Sequence, residues 1–178
     1  MERKVPAIEK HREGYIKIRV IESLQEIALA MKLLREGFSR NAAQKVFMAW
    51  KAMISALTAM NLDRLPRNED ERKWFYKSGY LVPTKSLKGI SARLEELGYS
   101  GYGLSQRSTV ALALHNYAYN GLLDGAGVYP SREDAVNDVI GLSRDMLALI
   151  NELFKAYWDD EIEAYYETAK KELEAVKL

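Results

Sequence analysis

Apolar residues recur every three or four positions along most of the chain, which is the spacing of one buried face of an α-helix. No alternating pattern of useful length for a β-strand appears. The first helix is predicted over residues 14–36, and Gly37 is positioned to end it in a left-handed cap. The pattern therefore predicts an all-α protein. The buried stripe of the first helix consists of Val20, Leu24, Ile27, Met31 and Leu34.

The second predicted helix is apolar around much of its circumference, which favours burial against two or more neighbours. Ser39 is expected to cap its start. Because only a short turn separates it from the first helix, the two should form an antiparallel pair. Its apolar positions are Ala42, Ala43, Val46, Ala49, Trp50, Met53, Ala56, Leu57 and Met60.

Residues 62–83 interrupt this pattern as a polar insertion. Asn68 is expected to cap a short helix that ends at Lys77. Three consecutive aromatic residues in this helix should dock the insertion on the bundle, and stacking on a nucleobase is the alternative. They are Trp74, Phe75 and Tyr76.

Two further helices are predicted after the insertion. Thr84 is expected to cap the first of them, which should end at Gly98. The second is predicted over residues 104–123, with Ser105 as its cap. It carries His115, one of only two histidines in the chain, at the edge of its apolar face.

The last helical region begins after a cap at Ser131 and has one nearly continuous apolar stripe. Either it is one long helix, or two helices meet at Asp159 and Asp160. A single helix of this length would extend beyond a compact bundle and need a partner chain, whereas two helices would fold back. In the first case the expected dimer contacts are Tyr165, Tyr166 and Leu173.

A chain of 178 residues is long enough for one domain with a proper core. We expect a single domain over residues 1–178, built as an antiparallel bundle of about five to six helices. An N-terminal arm (1–13) and a helical tail (159–178) flank this bundle.

Composition and charge exclude several classes of function. The chain has 26 basic and 25 acidic residues, whereas proteins that grip duplex nucleic acid usually show a basic excess. It has no cysteine, which excludes disulfides and thiolate chemistry. No apolar run is long enough to cross a membrane, and the charged N-terminus lacks the apolar core of a signal peptide. We therefore expect a cytoplasmic protein without membrane contact.

The best candidate site is centred on His115, because an imidazole at the border between core and solvent is rigid and still accessible. Tyr119 lies beside it, one turn further on, and Asn116 is its neighbour in the chain. The simplest alternative is a structural histidine bonded to Tyr119 or to a backbone carbonyl. On the second helix, Lys45 and Lys51 are either solvated or meet phosphate in a groove beside the helix of His115.

The sequence offers no pattern for a metal or a cofactor. Neither His11 nor His115 follows a glutamate by three residues, as a di-iron bundle requires. Two histidines are too few for an ordinary zinc site, and phosphate loops and dinucleotide fingerprints are absent. We therefore predict that the protein uses no metal and no cofactor.

The segment FSRNAAQKVFMAWKAMISAL, with NAAQKVFMAWKA as its most distinctive part, resembles the archaeal PaREP repeat-protein family. It also resembles the second helix of the HEPN (higher eukaryotes and prokaryotes nucleotide-binding) superfamily, and the preceding helix resembles the first. The stretches ALALHNYAYNGLLDG and SREDAVNDVIGLSRDMLALI are similar in layout to the closing helices there. The resemblance implies a helical bundle, usually dimeric, that binds a nucleotide or RNA. RNA-cleaving HEPN proteins carry an arginine, four to six further residues and then a histidine, whereas seven residues separate Arg107 from His115.

Three functions remain open at this point. The first is a small homodimeric binding module that holds a nucleotide, RNA or a partner protein in a groove near His115. The second is a metal-independent ribonuclease that uses His115 and Arg107, and the third is a module for protein interaction alone. The balanced charge and the arginine–histidine spacing favour binding over catalysis. The expected binding residues are His115, Tyr119, Asn116, Arg107 and Lys51.

Overall fold

The computed structural model describes residues 8–123 and 127–176. These residues form seven α-helices and no β-strand, which confirms the all-α class. Short 3-10 turns and one π-helical turn (Glu95–Tyr99) connect several of the helices. The helices are α1 (Ile8–Arg35), α2 (Ser39–Met60), α3 (Glu69–Lys77), α4 (Leu87–Leu94), α5 (Leu104–Asn120), α6 (Arg132–Leu153) and α7 (Asp160–Glu174).

The first two helices form the antiparallel pair that the sequence predicts. Gly37 ends α1 with a φ of +88°, the left-handed conformation that favours glycine. Near one end of the pair, the hydroxyl oxygens of Tyr15 and Ser55 lie 2.6 Å apart. Towards the other end, Lys45 Nζ lies 3.0 Å from the carboxylate of Glu26. These contacts fix the register of α1 against α2.

Helix α5 lies antiparallel to α2 and is anchored to it at both ends. The hydroxyl groups of Ser39 and Tyr117 are 2.9 Å apart at one end, and the indole N–H of Trp50 donates to Ser108 at 2.8 Å at the other. Trp50 and Tyr117 are both buried, so both belong to the core. His115 lies between these two anchors on α5 and therefore faces the stretch of α2 between Ser39 and Trp50.

The C-terminal region is two helices, so the alternative of one long helix is wrong. Asp159 caps α7 by accepting the backbone N–H of Ile162 at 3.0 Å. Helix α7 then runs along α1, where Arg35 donates to the Glu172 carboxylate at 2.5 Å. The residues expected as dimer contacts instead pack against the core of their own chain. These are Tyr165, Tyr166 and Leu173.

The polar insertion is docked on the bundle by its aromatic residues. Asn68 caps α3 as predicted, accepting the backbone N–H of Glu71 at 2.9 Å. Phe75 is 5% exposed and contributes to the core, whereas Trp74 remains 37% exposed. The insertion thus leaves one large aromatic side chain at the surface.

Three predicted caps are wrong. Ser39 is the first residue inside α2 and makes no capping hydrogen bond. Thr84 begins a 3-10 turn, and α4 starts only at Leu87. Ser105 lies inside α5, where its hydroxyl donates to the Glu95 carboxylate at 2.7 Å. In all three cases the hydroxyl has a partner from another element.

The expected arm over residues 1–13 lies partly outside the described residues. Residues 8–13 belong to α1, whose backbone leaves helical geometry at His11 (φ −144°, ψ 48°). Among the described helices, none combines the length and the apolar character that a membrane span requires.

Candidate functional site

The imidazole of His115 is held by three side chains. Its Nδ1 lies 3.0 Å from Oε1 of Gln44 on α2. Its ring stacks on Phe47, with centroids 4.1 Å apart and an angle of 20° between the planes. Tyr119 meets it edge-on, with centroids 5.1 Å apart. His115 is half-buried in this arrangement, at the border between core and solvent where the sequence put it.

The hydrogen-bond partner differs from both partners that the sequence suggested. The bond goes to the side chain of Gln44, not to Tyr119 or a backbone carbonyl. When Nδ1–H donates to the amide oxygen, the neutral imidazole keeps a lone pair on Nε2. That nitrogen is then able to accept a proton or a hydrogen bond.

Lys51 lies one turn beyond Phe47 on α2. Its Nζ is 5.6 Å from the centroid of the Phe47 ring and donates to Oγ1 of Thr84 at 3.3 Å. No carboxylate among the described residues forms an ion pair with it. Burial lowers the pKa of Lys51, and the positive charge of Arg19 lowers it further. The ammonium group is therefore a partly buried charge that no acid in the described part of the chain compensates.

The charge of Lys51 also acts on His115. Burial lowers the pKa of His115, and the neighbouring ammonium of Lys51 adds to this effect. At neutral pH the imidazole is thus held in its neutral form. A negative charge placed beside the two groups would oppose both effects.

Arg40 is the cationic residue at the other end of the same stretch of α2. Its guanidinium donates to the backbone carbonyl oxygens of Ala118 at 2.8 Å and Tyr119 at 2.5 Å, near the C-terminus of α5. It thereby fixes α5 against α2. Arg40 and Lys51 are three turns apart, or about 16 Å along the helix axis.

We call this surface the α2–α5 face. Two shallow depressions of about 500 and 450 Å³ flank Tyr119 on it, and the Tyr119 side chain is 73% exposed. Oδ1 of Asn116 is buried, and no described residue donates a hydrogen bond to it. The face is formed by Arg40, Gln44, Phe47 and Lys51 of α2 and by His115, Asn116 and Tyr119 of α5.

Arg107 does not join this face. Its Nε donates to Asp145 of α6 at 2.7 Å, and another guanidinium nitrogen donates to the backbone carbonyl of Tyr102 at 2.5 Å. Arg107 therefore contacts α6, whereas His115 contacts α2. Of the predicted site residues, His115, Tyr119, Asn116 and Lys51 lie together and Arg107 lies apart.

Sequence reasoning missed three residues of the face. Gln44, Phe47 and Arg40 were not singled out, although their spacing carried a usable signal. With Lys51 they lie at intervals of three and four residues, which puts all of them on one side of α2. In the described part of the chain, no three His, Asp or Glu side chains converge as metal ligands would.

The fold and the site together define the class of protein. It is an all-α helical bundle with an open surface site, and this site is an aromatic and cationic face on two adjoining helices. The family model of the archaeal PaREP1/PaREP8 family matches residues 18–140, which is more than half of the chain. The chain therefore belongs to this family, which confirms the PaREP resemblance. Comparison with curated proteins and with solved structures finds no match. The matched segment contains every residue of the α2–α5 face.

Proposed function

We propose that the α2–α5 face binds a nucleotide or RNA. The observation that carries this proposal is the ammonium of Lys51, which has no carboxylate partner among the described residues and lies beside the stacked ring of His115. A phosphate group compensates a charge of this kind. The exposed ring of Tyr119 supplies a surface on which a base stacks.

Asn116 supports the same ligand class. Its buried Oδ1 accepts no hydrogen bond from the described residues, and an unsatisfied buried acceptor costs about 1–3 kcal/mol. The residue lines the depression beside His115 and Tyr119. The amino group of a base in this depression is a suitable donor for this oxygen once the Asn116 side chain turns to expose it.

We further propose that the chain forms a homodimer next to this face. Leu122, Leu123 and Val128 are 47%, 61% and 54% exposed. The backbone N–H of Gly127 donates to the carbonyl of Leu123 at 2.8 Å, which brings Val128 close to Leu123. Grouped apolar side chains at a surface mark interaction sites, and a second copy is the proposed occupant. For the fold, we propose accordingly that the bundle is HEPN-like and that two copies form the dimer.

Ribonuclease activity is the second candidate function. The observation in its favour is the lowered pKa of His115, which keeps the imidazole in the neutral form that a general base needs. Arg107 is paired with Asp145, so this candidate relies on His115 without its expected partner. Gel analysis of RNA incubated with the wild type and with His115→Ala separates the two functions. Cleavage that His115→Ala abolishes identifies a ribonuclease.

Binding is tested by fluorescence anisotropy with labelled single-stranded RNA of about eight nucleotides and by competition with AMP. Lys51→Gln should weaken binding of both probes about tenfold, since a charge-assisted hydrogen bond is lost. Lys170→Gln on α7 removes the same charge from a 48% exposed side chain and is the matched control. Equal affinities of the wild type and Lys51→Gln would contradict the proposal.

A further inference from the structure

Helices α3 and α4 enclose a third depression, a slot of about 420 Å³. Phe75 and Ile90 form its floor and are 5% and 4% exposed. Trp74, 37% exposed, lines it from α3, and Gly89 lines it from α4. A Cβ atom added at Gly89 would meet no atom within 4 Å, so the space above this glycine is open. The slot is therefore an apolar space lined by an indole.

The indole is fixed by its packing. A Cβ atom at Gly79 would come within 2.6 Å of the Trp74 ring and 2.8 Å of the Phe75 ring, so both rings lie directly on the backbone. Trp74 and Phe75 also meet edge-on, with centroids 4.9 Å apart. A ligand ring that stacks on Trp74 thus meets a side chain that needs little ordering on binding.

The charges around the slot indicate what it accepts. Arg67 and Arg93 both donate to the same oxygen of Glu96, at 2.8 and 2.7 Å. Glu71 is the carboxylate of the lining itself, so one carboxylate in the slot and one beside it balance the two guanidinium groups. A slot without net charge suits a neutral flat ring better than a phosphate. Its polar rim supplies donors and acceptors for the edge of a base.

The slot adjoins the α2–α5 face. Ser86 lines the slot, and two residues earlier Thr84 accepts the hydrogen bond from Lys51. Lys85 lies between them and is exposed, and no described carboxylate forms an ion pair with it. Contacts from Tyr119 through His115 and Phe47 to Lys51 thus lead towards the slot, and Lys85 follows Thr84 in the chain.

We infer that the ligand is a single strand of RNA, and that the slot takes one of its bases. The strand runs from Tyr119 across Lys51 and Lys85, which meet its phosphates, and places a base between Trp74 and Gly89. A free nucleotide is too short to occupy both places. This inference rests on the proposed function of the α2–α5 face and adds a second base site to it.

The test fills the slot without removing a contact. Gly89→Leu places a side chain in the open space, and leucine favours the helix more than glycine does, so folding is retained. Gly141→Leu on α6 is the matched control, because a Cβ atom there also meets nothing within 4 Å. Binding is measured with labelled single-stranded RNA of about eight nucleotides and with AMP.

Gly89→Leu and Trp74→Ala should each weaken binding of the RNA about tenfold, because one base stack is lost. Binding of AMP should stay unchanged in both variants, and Gly141→Leu should affect neither probe. Unchanged RNA affinity in Gly89→Leu, with weaker binding in Lys51→Gln, overturns the slot and leaves the α2–α5 face intact. A wild-type protein that binds neither probe overturns both proposals.

Discussion

Lys51 and His115 share one patch of surface, and the charge of Lys51 acts on the imidazole of His115. Both are partly buried, and burial lowers the pKa of each because the charged forms lose hydration. The positive charge of Lys51 lowers the pKa of His115 further. The other side chains that contact the imidazole are Gln44, Phe47 and Tyr119. The patch thus disfavours a second positive charge.

The first prediction is that Lys51→Gln raises the pKa of His115, because the repelling charge is removed. NMR titration of the imidazole signals measures this directly, since His11 is the only other histidine. Lys45→Gln is the matched control, because Glu26 neutralises Lys45 at 3.0 Å. An unchanged His115 pKa in Lys51→Gln would disprove the electrostatic contact.

The second prediction concerns the pH dependence of binding. A bound phosphate favours the imidazolium form of His115, so it raises the pKa of this group. Affinity for RNA should therefore increase as the pH falls from about 8 to about 5. Anisotropy titrations across this range, on the wild type and on His115→Gln, test the effect. The same slope in both proteins would show that His115 plays no part in it.

For single residues, the sequence predicted the border position of His115, because that position follows from the apolar stripe of one helix. It did not predict Gln44 or Phe47 as partners. Gln44 and His115 are 71 residues apart in the chain, and their contact depends on the register of α2 against α5. That register is set by how the two helices pack together, and the apolar pattern of a single helix does not reveal it.

Within single helices, the capping residues show whether a side chain acts on its own helix or through contacts with another helix. Ser131 accepts the backbone N–H of Asp134 at 3.1 Å, so Ser131→Ala should lower the free energy of unfolding by about 1 kcal/mol. Thr109→Ala is the control, because Thr109 is exposed inside α5 and its hydroxyl bonds the carbonyl of Ser105. Urea denaturation measures both values. Equal values for the two variants would argue against the cap.

The turn between α1 and α2 gives the next prediction. A residue other than glycine at position 37 must adopt a φ near +88°, so Gly37→Ala should cost about 1 kcal/mol. Gly141 lies inside α6 without a positive φ, and Gly141→Ala should stabilise the protein by about 0.5–1 kcal/mol. Opposite shifts of the melting temperature are expected. Shifts of the same sign would contradict the role of the turn.

The caps that sequence reasoning found and missed follow one rule. At Ser131 the hydroxyl has only local partners, and the predicted cap forms. The hydroxyl of Ser39 instead meets Tyr117, and that of Ser105 meets Glu95. A serine before an apolar run thus predicts a cap only where no other helix supplies a competing partner.

For the whole molecule, the main prediction is a homodimer. Light scattering should give twice the 20.3 kDa mass of one chain, and Leu123→Asp should restore the monomer. Leu81→Asp is the control, because Leu81 is likewise an exposed leucine (47%, against 61% for Leu123) but lies in the insertion. A wild type that is monomeric at every concentration, or equal effects of the two variants, would refute this interface.

The all-α class was predictable because the period of apolar residues is repeated in almost every element. The path of the C-terminal tail was not, since the stripes of α6 and α7 are nearly in phase along the sequence. Asp159 carried the missing signal, as a capping residue that starts a new helix. Only packing against α1 decides that this helix folds back.

The most direct test of the account is an NMR titration of the isotope-labelled protein with single-stranded RNA of about eight nucleotides. The account predicts that the largest changes in amide chemical shift fall in residues 40–51 of α2 and 112–120 of α5. It also predicts that α7 is unaffected. The absence of changes in both segments, or changes confined to α7, would contradict it.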